Sequence, residues 1–278
     1  MRVQIFAVPY DSGRRDVRMG KGPGRLLGLG LEAVWSAHGH EVATDWVEVP
    51  TSDSGDVRSS FELYDGLADR VRAAHADKHF PFVIAGNCGV TIGAVAGLSD
   101  VRPAVVWFDA HGDFNTPETS PSGFLDGMAL AILTGRCWRT LAKKVTGFEA
   151  VPETHVALVG ARDLDPPEAD ALAASRILRI GADLSGLDDV FPNASPIWLH
   201  VDLDVLDIAE GRANQFATTD GLTVSQLVDA VRRLATRLSI VGAALTAYDP
   251  AADGDGRVAV AALRVANALA ETRPTVRA

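Results

Sequence analysis

The chain has 278 residues, of which 22% are charged and 47% hydrophobic, a composition typical of globular proteins. Its formal net charge of −10 at pH 7 argues against nucleic acid or an anionic membrane as the partner, because both require a basic surface. Two cysteines without disulfide or zinc-finger spacing, and no secretory signal or membrane-spanning apolar run, favour a cytoplasmic protein.

Short apolar runs alternate with amphipathic stretches from end to end. Candidate strands cover 2–8, 41–47, 81–85, 104–109, 155–160, 176–180, 196–203 and 240–247. Most of these runs are continuously apolar, as in parallel strands covered on both faces. Helical spacing predicts helices around 61–71, 227–238 and 257–271, the second capped by Thr223. We therefore predict one α/β domain over residues 1–278, built on a parallel sheet of about eight strands.

Four stretches lack periodicity and are rich in Gly, Pro and Asp: 9–24, 110–127, 161–167 and 205–222. Most of them follow the carboxyl end of a candidate strand. Ligands of open parallel sheets bind outside those strand ends, so we expect the chemistry of the protein on these loops.

Acidic residues are concentrated at two strand ends. The stretch "WFDAHGDFN" contains Asp109, His111 and Asp113, spaced two apart, and "HVDLDVLD" contains Asp202 and Asp204. Side chains two apart on extended backbone point to one side. Four converging carboxylates require compensating positive charge, and divalent cations supply it. Hard oxygen ligands favour a two-metal site for manganese or magnesium, the alternative being solvated acids at strand ends.

Around these acids the sequence resembles the ureohydrolases, the family of arginase and agmatinase, over nearly the whole chain. The most specific pieces are "DAHGDFN", "SGFLDGM", "VDLDVLD" and "YDP". The resemblance implies a three-layer α/β/α arginase-like fold with a central eight-stranded parallel sheet. It also implies two Mn²⁺ ions that hold a bridging hydroxide. Asp109 and Asp202 would bridge the metals, Asp113 would complete one metal site, and His111 and Asp204 would complete the other.

Cys88, in "AGNCGVT", stands where the family has a histidine ligand. A lone cysteine is more often a buried, inert side chain, and a nucleophile is a further alternative. The resemblance implies instead that Cys88 is a metal ligand. A thiolate suits zinc better than manganese, which leaves the metal at this position open.

The residues with which arginases bind the α-amino and α-carboxylate groups of their substrate have counterparts in this sequence. Asn115 and Ser122 stand where arginases contact the α-carboxylate of their substrate. Asp165 would take the α-amino group, with Asp163 and Glu168 alongside. The alternative for Asp165 is helix N-capping ahead of two prolines. The resemblance therefore implies a guanidino amino acid as substrate.

The positions facing the guanidinium end differ from the family. Asp126 replaces a histidine assigned to proton transfer and is the candidate catalytic residue, Ala247 replaces a frequent glutamate, and Phe124 replaces a polar residue. A hydroxyguanidine is less basic than guanidinium and needs less help from a carboxylate. We therefore expect hydrolysis of Nω-hydroxy-L-arginine to hydroxyurea and L-ornithine, as in the hydroxyarginine amidinohydrolases of antibiotic biosynthesis.

Three other functions remain open. The first is a conventional arginase or other ureohydrolase in which Cys88 and Asp126 are tolerated substitutions. The second is a ureohydrolase homologue that binds a ligand without catalysis. The third, a one-metal amidohydrolase of the related deacetylase fold, is disfavoured by the second aspartate pair. Because the chain stops soon after its last predicted helix, at "ETRPTVRA", we expect a monomer or a small homo-oligomer.

Overall fold

The computed structural model describes residues 1–48, 56–191 and 196–272. Residues 273–278, which form most of the tail behind the oligomer expectation, lie outside these ranges. The described strands are Arg2–Val8 (β1), Tyr10–Asp11 (β2), Arg14–Arg15 (β3), Glu41–Trp46 (β4), His79–Ala85 (β5), Ala104–Phe108 (β6), Val156–Val159 (β7), Leu178–Ile180 (β8), Pro196–Asp202 (β9) and Ser239–Thr246 (β10). The described α-helices are Gly22–Gly28 (α1), Leu31–Ala37 (α2), Asp56–Ala76 (α3), Val90–Gly97 (α4), Ala129–Leu133 (α5), Arg139–Ala142 (α6), Pro166–Ala174 (α7), Val224–Arg237 (α8) and Arg257–Thr272 (α9).

Eight of the strands form one sheet, in the order β4-β1-β5-β10-β9-β6-β7-β8, and all neighbouring pairs run parallel. The remaining two, β2 and β3, form a short antiparallel hairpin. Each strand of the large sheet corresponds to one of the apolar runs identified in the sequence. The predicted eight-stranded parallel sheet is therefore confirmed.

Helices cover both faces of the sheet, because successive strand side chains point to opposite sides and both sets are apolar. On one face Ile5 shares a core with Trp35 of α2 and Leu227 of α8. On the other face the adjacent Phe6 shares a core with Leu67 of α3. The predicted three-layer α/β/α architecture is thus confirmed. Within the three described ranges no helix is long and apolar enough to cross a membrane.

Helix α8 shows why the periodic helices were predictable. Its N-cap Thr223 accepts a hydrogen bond from the backbone of Gln226, whose side chain accepts one from the Thr223 backbone in return.

The predicted loop over 9–24 is partly wrong. It contains the β2–β3 hairpin, and α1 begins at Gly22, where Pro23 suits the first helical turn. A seven-residue helix carries too few apolar positions for a periodic signal.

The register of the central strands brings the acidic segments together. Trp107 of β6 pairs with His200 of β9, so Asp109 and Asp202 follow two residues later at the same edge. Asp202 in turn pairs with Thr246 of β10. The carboxyl ends of three adjacent strands therefore meet at the centre of the sheet.

Candidate metal centre and substrate pocket

A pocket of about 250 Å³ opens at this edge of the sheet. Its walls include nearly all the site residues predicted from the sequence: Cys88, His111, Asp113, Asn115, Ser122, Asp126, Asp163, Asp165, Glu168, Asp202 and Asp204. Asp109 is only 1% exposed and lies beside this group. The structure thus brings residues from the carboxyl ends of four strands, β5, β6, β7 and β9, around one cavity.

Two groups of potential metal ligands share one carboxylate. Among the described residues, ligand atoms of Asp109, His111 and Asp204 lie within 4.8 Å of one another, and so do those of Cys88, Asp109 and His200. Asp202 adjoins the second group, because the Cys88 thiol donates to its Oδ2 over 2.9 Å. Asp109 is therefore positioned to contact both halves of a binuclear site.

Neighbouring groups fix the orientation of these carboxylates. The indole of Trp107, two residues earlier on β6, donates to Oδ2 of Asp109 over 2.9 Å. The backbone N–H of His111 donates to Oδ1 of the same carboxylate over 2.8 Å. Asp202 accepts a hydrogen bond of 2.8 Å from the Asp204 backbone, which starts a turn of 3-10 helix over Leu203–Val205. The orientation of Asp109 and Asp202 is therefore fixed by neighbouring backbone N–H groups and, for Asp109, by the Trp107 indole.

Asp113 has a buried oxygen without a partner. Its backbone adopts a left-handed conformation with φ of 48°, and its Oδ2 has no hydrogen-bond partner among the described residues. A buried polar atom left unsatisfied costs about 1–3 kcal/mol, so such atoms are rare in native proteins. A cation at this point of the site would satisfy Asp113.

The pKa values of the buried acidic groups also indicate that the site would be stabilised by a bound cation. Burial, followed by the charges of nearby acids, raises the pKa of Asp113 and Asp202 well above the usual carboxyl range. Burial and the neighbouring Asp202 raise the pKa of the Cys88 thiol in the same way. Burial alone would lower the pKa of His111, but the charge of Asp204 raises it overall. Divalent cations would stabilise the deprotonated ligands, so this donor set fits a metal centre.

Asp126 holds the loop that carries Cys88. Its Oδ2 accepts hydrogen bonds from the Cys88 backbone over 3.0 Å and from the Asn87 side chain over 2.9 Å. Its Oδ1 accepts from the Gly89 backbone over 2.9 Å. Burial raises the pKa of Asp126 to about 7, although these three donors act in the opposite direction. Asp126 thus both lines the pocket and anchors the 87–89 loop.

On the substrate side, Asp165 is paired with Asn115. The Asn115 amide donates to Oδ2 of Asp165 over 2.9 Å, and the Asp165 side chain makes no capping hydrogen bond to α7. N-capping by this side chain is therefore not observed. Glu168 is buried and accepts from the Phe114 backbone over 2.8 Å. Ser122 lies at the pocket rim and accepts from the Phe124 backbone.

His200 lies deep in the site. It is fully buried, its ring stacks on Trp107 at 3.6 Å, and its Nδ1 lies 2.8 Å from the Thr91 hydroxyl. Burial lowers the pKa of His200 to about 3, so the ring is neutral at neutral pH. One ring nitrogen of His200 lies within 4.8 Å of ligand atoms of Cys88 and Asp109, and the Thr246 hydroxyl lies 3.4 Å from Nε2. These contacts agree with a buried structural histidine. The signal for its position was its place two residues before Asp202.

Two further pocket residues gave no signal in the sequence. Asn214 and Phe216 lie in the aperiodic stretch before α8 and line the cavity beside Asp204 and Ala247. Asn214 is buried and bonds to Asp204, whereas the Phe216 ring packs near His111. Their role depends on loops that meet only in the folded chain.

The sequence and the structure of the chain are similar to those of known proteins. A sequence profile described as the arginase family matches residues 1–270. The chain is 28% identical to the arginase of Staphylococcus aureus strain MRSA252 over 283 residues, covering 92% of this chain and 93% of that protein. It is 31% identical over 178 residues to the N(omega)-hydroxy-L-arginine amidinohydrolase of Streptomyces lavendulae, covering 62% of each. The crystal structure of arginase from Bacillus cereus superposes with a TM-score of 0.87 at 25% identity, covering 97% of this chain and 98% of that one.

Proposed function

Because the chain belongs to the arginase family, whose members hydrolyse amidine or guanidino groups, we propose that its substrate is Nω-hydroxy-L-arginine and its products are hydroxyurea and L-ornithine. The observation that carries this proposal is Ala247. Ala247 lines the same pocket as Asp204, at a position where many family members have a glutamate that pairs with guanidinium. A less basic hydroxyguanidine does not need that carboxylate, and the small side chain leaves space for the hydroxyl.

Two manganese ions are the proposed cofactors. The residues that would hold them are Cys88, Asp109, His111, Asp113, Asp202 and Asp204. The unpartnered oxygen of Asp113 and the raised pKa values of the buried acids support this assignment. When bound, two divalent cations lower the pKa of water and stabilise negative charge that develops on the reacting group.

The other pocket residues bind and orient the substrate. Asp165, paired with Asn115, would take the α-amino group, and Ser122 at the rim would contact the α-carboxylate. Asp163 and Glu168 surround this head-group end of the cavity. Asp165 provides a charge-assisted hydrogen bond that a substrate without an amino-acid head group would not use.

Asp126 is the proposed proton donor to the leaving ornithine amine. An ordinary carboxyl group is deprotonated at neutral pH and is a poor acid there. Burial raises the pKa of Asp126 to about 7, which makes proton transfer near neutral pH feasible. Its hydrogen bonds to the 87–89 loop link this role to the position of Cys88.

A conventional arginase is the second candidate. It is favoured by the extent of similarity, because the match to the Staphylococcus aureus arginase covers 92% of this chain. The match to the Streptomyces lavendulae amidinohydrolase covers 62%. In this case Cys88 and Asp126 would be tolerated substitutions around an otherwise unchanged reaction.

Parallel assays of the Mn²⁺-loaded protein distinguish the two. Hydroxyurea is measured with Nω-hydroxy-L-arginine as substrate, and urea is measured with L-arginine. We expect a clearly higher kcat/KM for the hydroxylated substrate, whereas equal or greater efficiency with L-arginine would support a conventional arginase. Absence of both activities would favour a ligand-binding homologue.

The variant Asp165→Asn should raise KM about tenfold or more through loss of a charged hydrogen bond, whereas Asp170→Asn on the exposed side of α7 should not.

A further inference from the structure

The side chain of Asn214 joins three parts of the site. It is 1% exposed, and its Nδ2 donates to Oδ2 of Asp204 over 3.1 Å and to the carbonyl oxygen of Ala247 over 2.9 Å. Its Oδ1 accepts a hydrogen bond of 2.8 Å from the backbone N–H of Phe216. Both ends of one buried amide are thus engaged, and each partner lines the same pocket.

The first partner is a potential metal ligand. Oδ1 of Asp204 accepts from the Ala110 backbone over 3.3 Å, and Oδ2 accepts from Asn214 while lying 3.5 Å from Nδ1 of His111. With a donor on each oxygen, the carboxylate plane of Asp204 has little freedom to rotate. Groups that orient a ligand in this way tune metal affinity, typically by about 10–100-fold.

The second partner is the strand end at Ala247. Its backbone is left-handed, with φ of 60°, a conformation that costs a non-glycine residue free energy. The hydrogen bond from Asn214 holds the carbonyl of this residue. A backbone hydrogen bond of 2.8 Å from Asp249 to Ala213 joins the same two segments a second time. The loop before α8 and the end of β10 are therefore held together beside the metal centre.

The third partner positions an aromatic wall. Phe216 is 38% exposed; its ring stacks on Phe124 with 5.7 Å between centroids and lies edge-on to His111 with 6.3 Å between centroids. Phe216 and Phe124 both line the pocket, so the two rings together form an apolar wall of the cavity. The backbone of Phe216 is anchored by Asn214, so the ring is held over the end of the pocket nearest His111.

We propose that Asn214 is a positioning residue that couples metal affinity to substrate recognition, by fixing Asp204 and the Phe216 wall through one amide. This inference rests on the proposed function, because it takes Asp204 as a metal ligand and the cavity as the substrate pocket. In this inference Phe216 discriminates between substrates at their guanidine end, and Asn214 acts by positioning Phe216.

Three variants separate the contacts. Asn214→Ala removes all of them. The isosteric Asn214→Asp keeps the acceptor for Phe216 but places an acceptor against Asp204 and the Ala247 carbonyl. Phe216→Ala keeps the amide and removes the ring. Asn267→Ala serves as a matched control, because its amide bonds to His38 and Glu271 near the surface of α9.

Mn²⁺ affinity is measured by titration with detection of free Mn²⁺ by electron paramagnetic resonance, and kcat and KM are measured separately. We expect both Asn214 variants to weaken Mn²⁺ binding by about tenfold or more. We expect Asn214→Ala and Phe216→Ala to raise KM, Phe216→Ala to leave Mn²⁺ affinity unchanged, and the two KM effects to be less than additive in the double variant. If Asn214→Ala does not fold, Asn214→Asp carries the metal arm of the test.

If the wild-type protein binds Mn²⁺ and the folded Asn214 variants bind it with the same affinity, this inference is wrong but the proposed function stands. Fully additive KM effects overturn the coupling to Phe216. A wild-type protein that binds no Mn²⁺ and hydrolyses no guanidino substrate overturns the proposed function together with this inference.

Discussion

The carboxylate of Asp126 accepts a hydrogen bond from the backbone N–H of Cys88, with 3.0 Å between Oδ2 and the nitrogen. Asn87 and Gly89, on either side of Cys88, donate to the same carboxylate. The residue proposed to transfer a proton therefore also sets the position of a proposed metal ligand. A loss of activity on substitution of Asp126 has two different explanations, and they are separable by experiment.

Asp126→Asn should lower both stability and metal affinity. An amide has one acceptor oxygen in place of two, so at least one of the three N–H groups loses its partner. We expect a loss of about 1–3 kcal/mol in the free energy of unfolding, measured by denaturant titration. We also expect fewer Mn²⁺ ions retained per chain, because the Cys88 loop is less firmly held.

Asp170→Asn is the control for this substitution, since Asp170 is exposed on α7. A variant Asp126→Asn with full stability and full metal content, but with a reduced kcat, would assign Asp126 to proton transfer alone.

Cys88→Ser should reduce metal occupancy more than it reduces stability. The thiol lies 2.9 Å from Asp202 and 3.1 Å from the Thr246 hydroxyl, and a serine hydroxyl can make similar hydrogen bonds. Serine does not supply a thiolate, so we expect one of the two metals to bind at least about tenfold more weakly. Metal analysis after dialysis, together with thermal unfolding, measures the two effects.

Cys137→Ser provides the comparison, because Cys137 is also buried but lies outside both ligand groups. Equal metal content in the two variants would place Cys88 among the core residues instead.

Ala247→Glu should shift selectivity toward unmodified arginine. The new carboxylate would enter the pocket beside Asp204, where it pairs with guanidinium better than with hydroxyguanidine. We expect the ratio of kcat/KM for L-arginine to that for the hydroxylated substrate to rise about tenfold, the scale of one charged hydrogen bond. Ala247→Gln, with the same shape and no charge, should reduce both activities without changing the ratio. An unchanged ratio in Ala247→Glu would remove the main support for the hydroxyarginine assignment.

Metal binding should release protons and strengthen as pH rises. Burial raises the pKa of Asp113, Asp202 and Cys88 in the metal-free protein, so these groups retain protons to higher pH than free side chains do. Metals bind the deprotonated forms, and each bound ion must therefore displace protons. Affinity should be lower at about pH 6 than at about pH 8. Calorimetry in two buffers of different ionisation enthalpy counts the protons, and a heat independent of buffer would contradict the expectation.

Much of the fold and of the metal centre was predictable because the relevant signals are local. Most strands of the large sheet are apolar runs, and acids spaced two apart mark a strand end. Helix α1 was missed because it is short and follows an aperiodic loop. Asn214 and Phe216 were missed for another reason. Their contacts join the loop before α8 to the ends of β9 and β10, and no spacing along the chain records that proximity.

The register of β6, β9 and β10 has one more consequence. Asp202 is the last residue of β9 and Asp109 directly follows β6, and both strands are paired with their neighbours, whereas Asn115, Ser122 and Phe216 belong to segments outside the strands. Substitutions in these loops can change which molecule enters while the hydrolytic machinery beneath stays as rigid as the sheet itself. A scaffold divided in this way can acquire a new substrate without having to reinvent its chemistry.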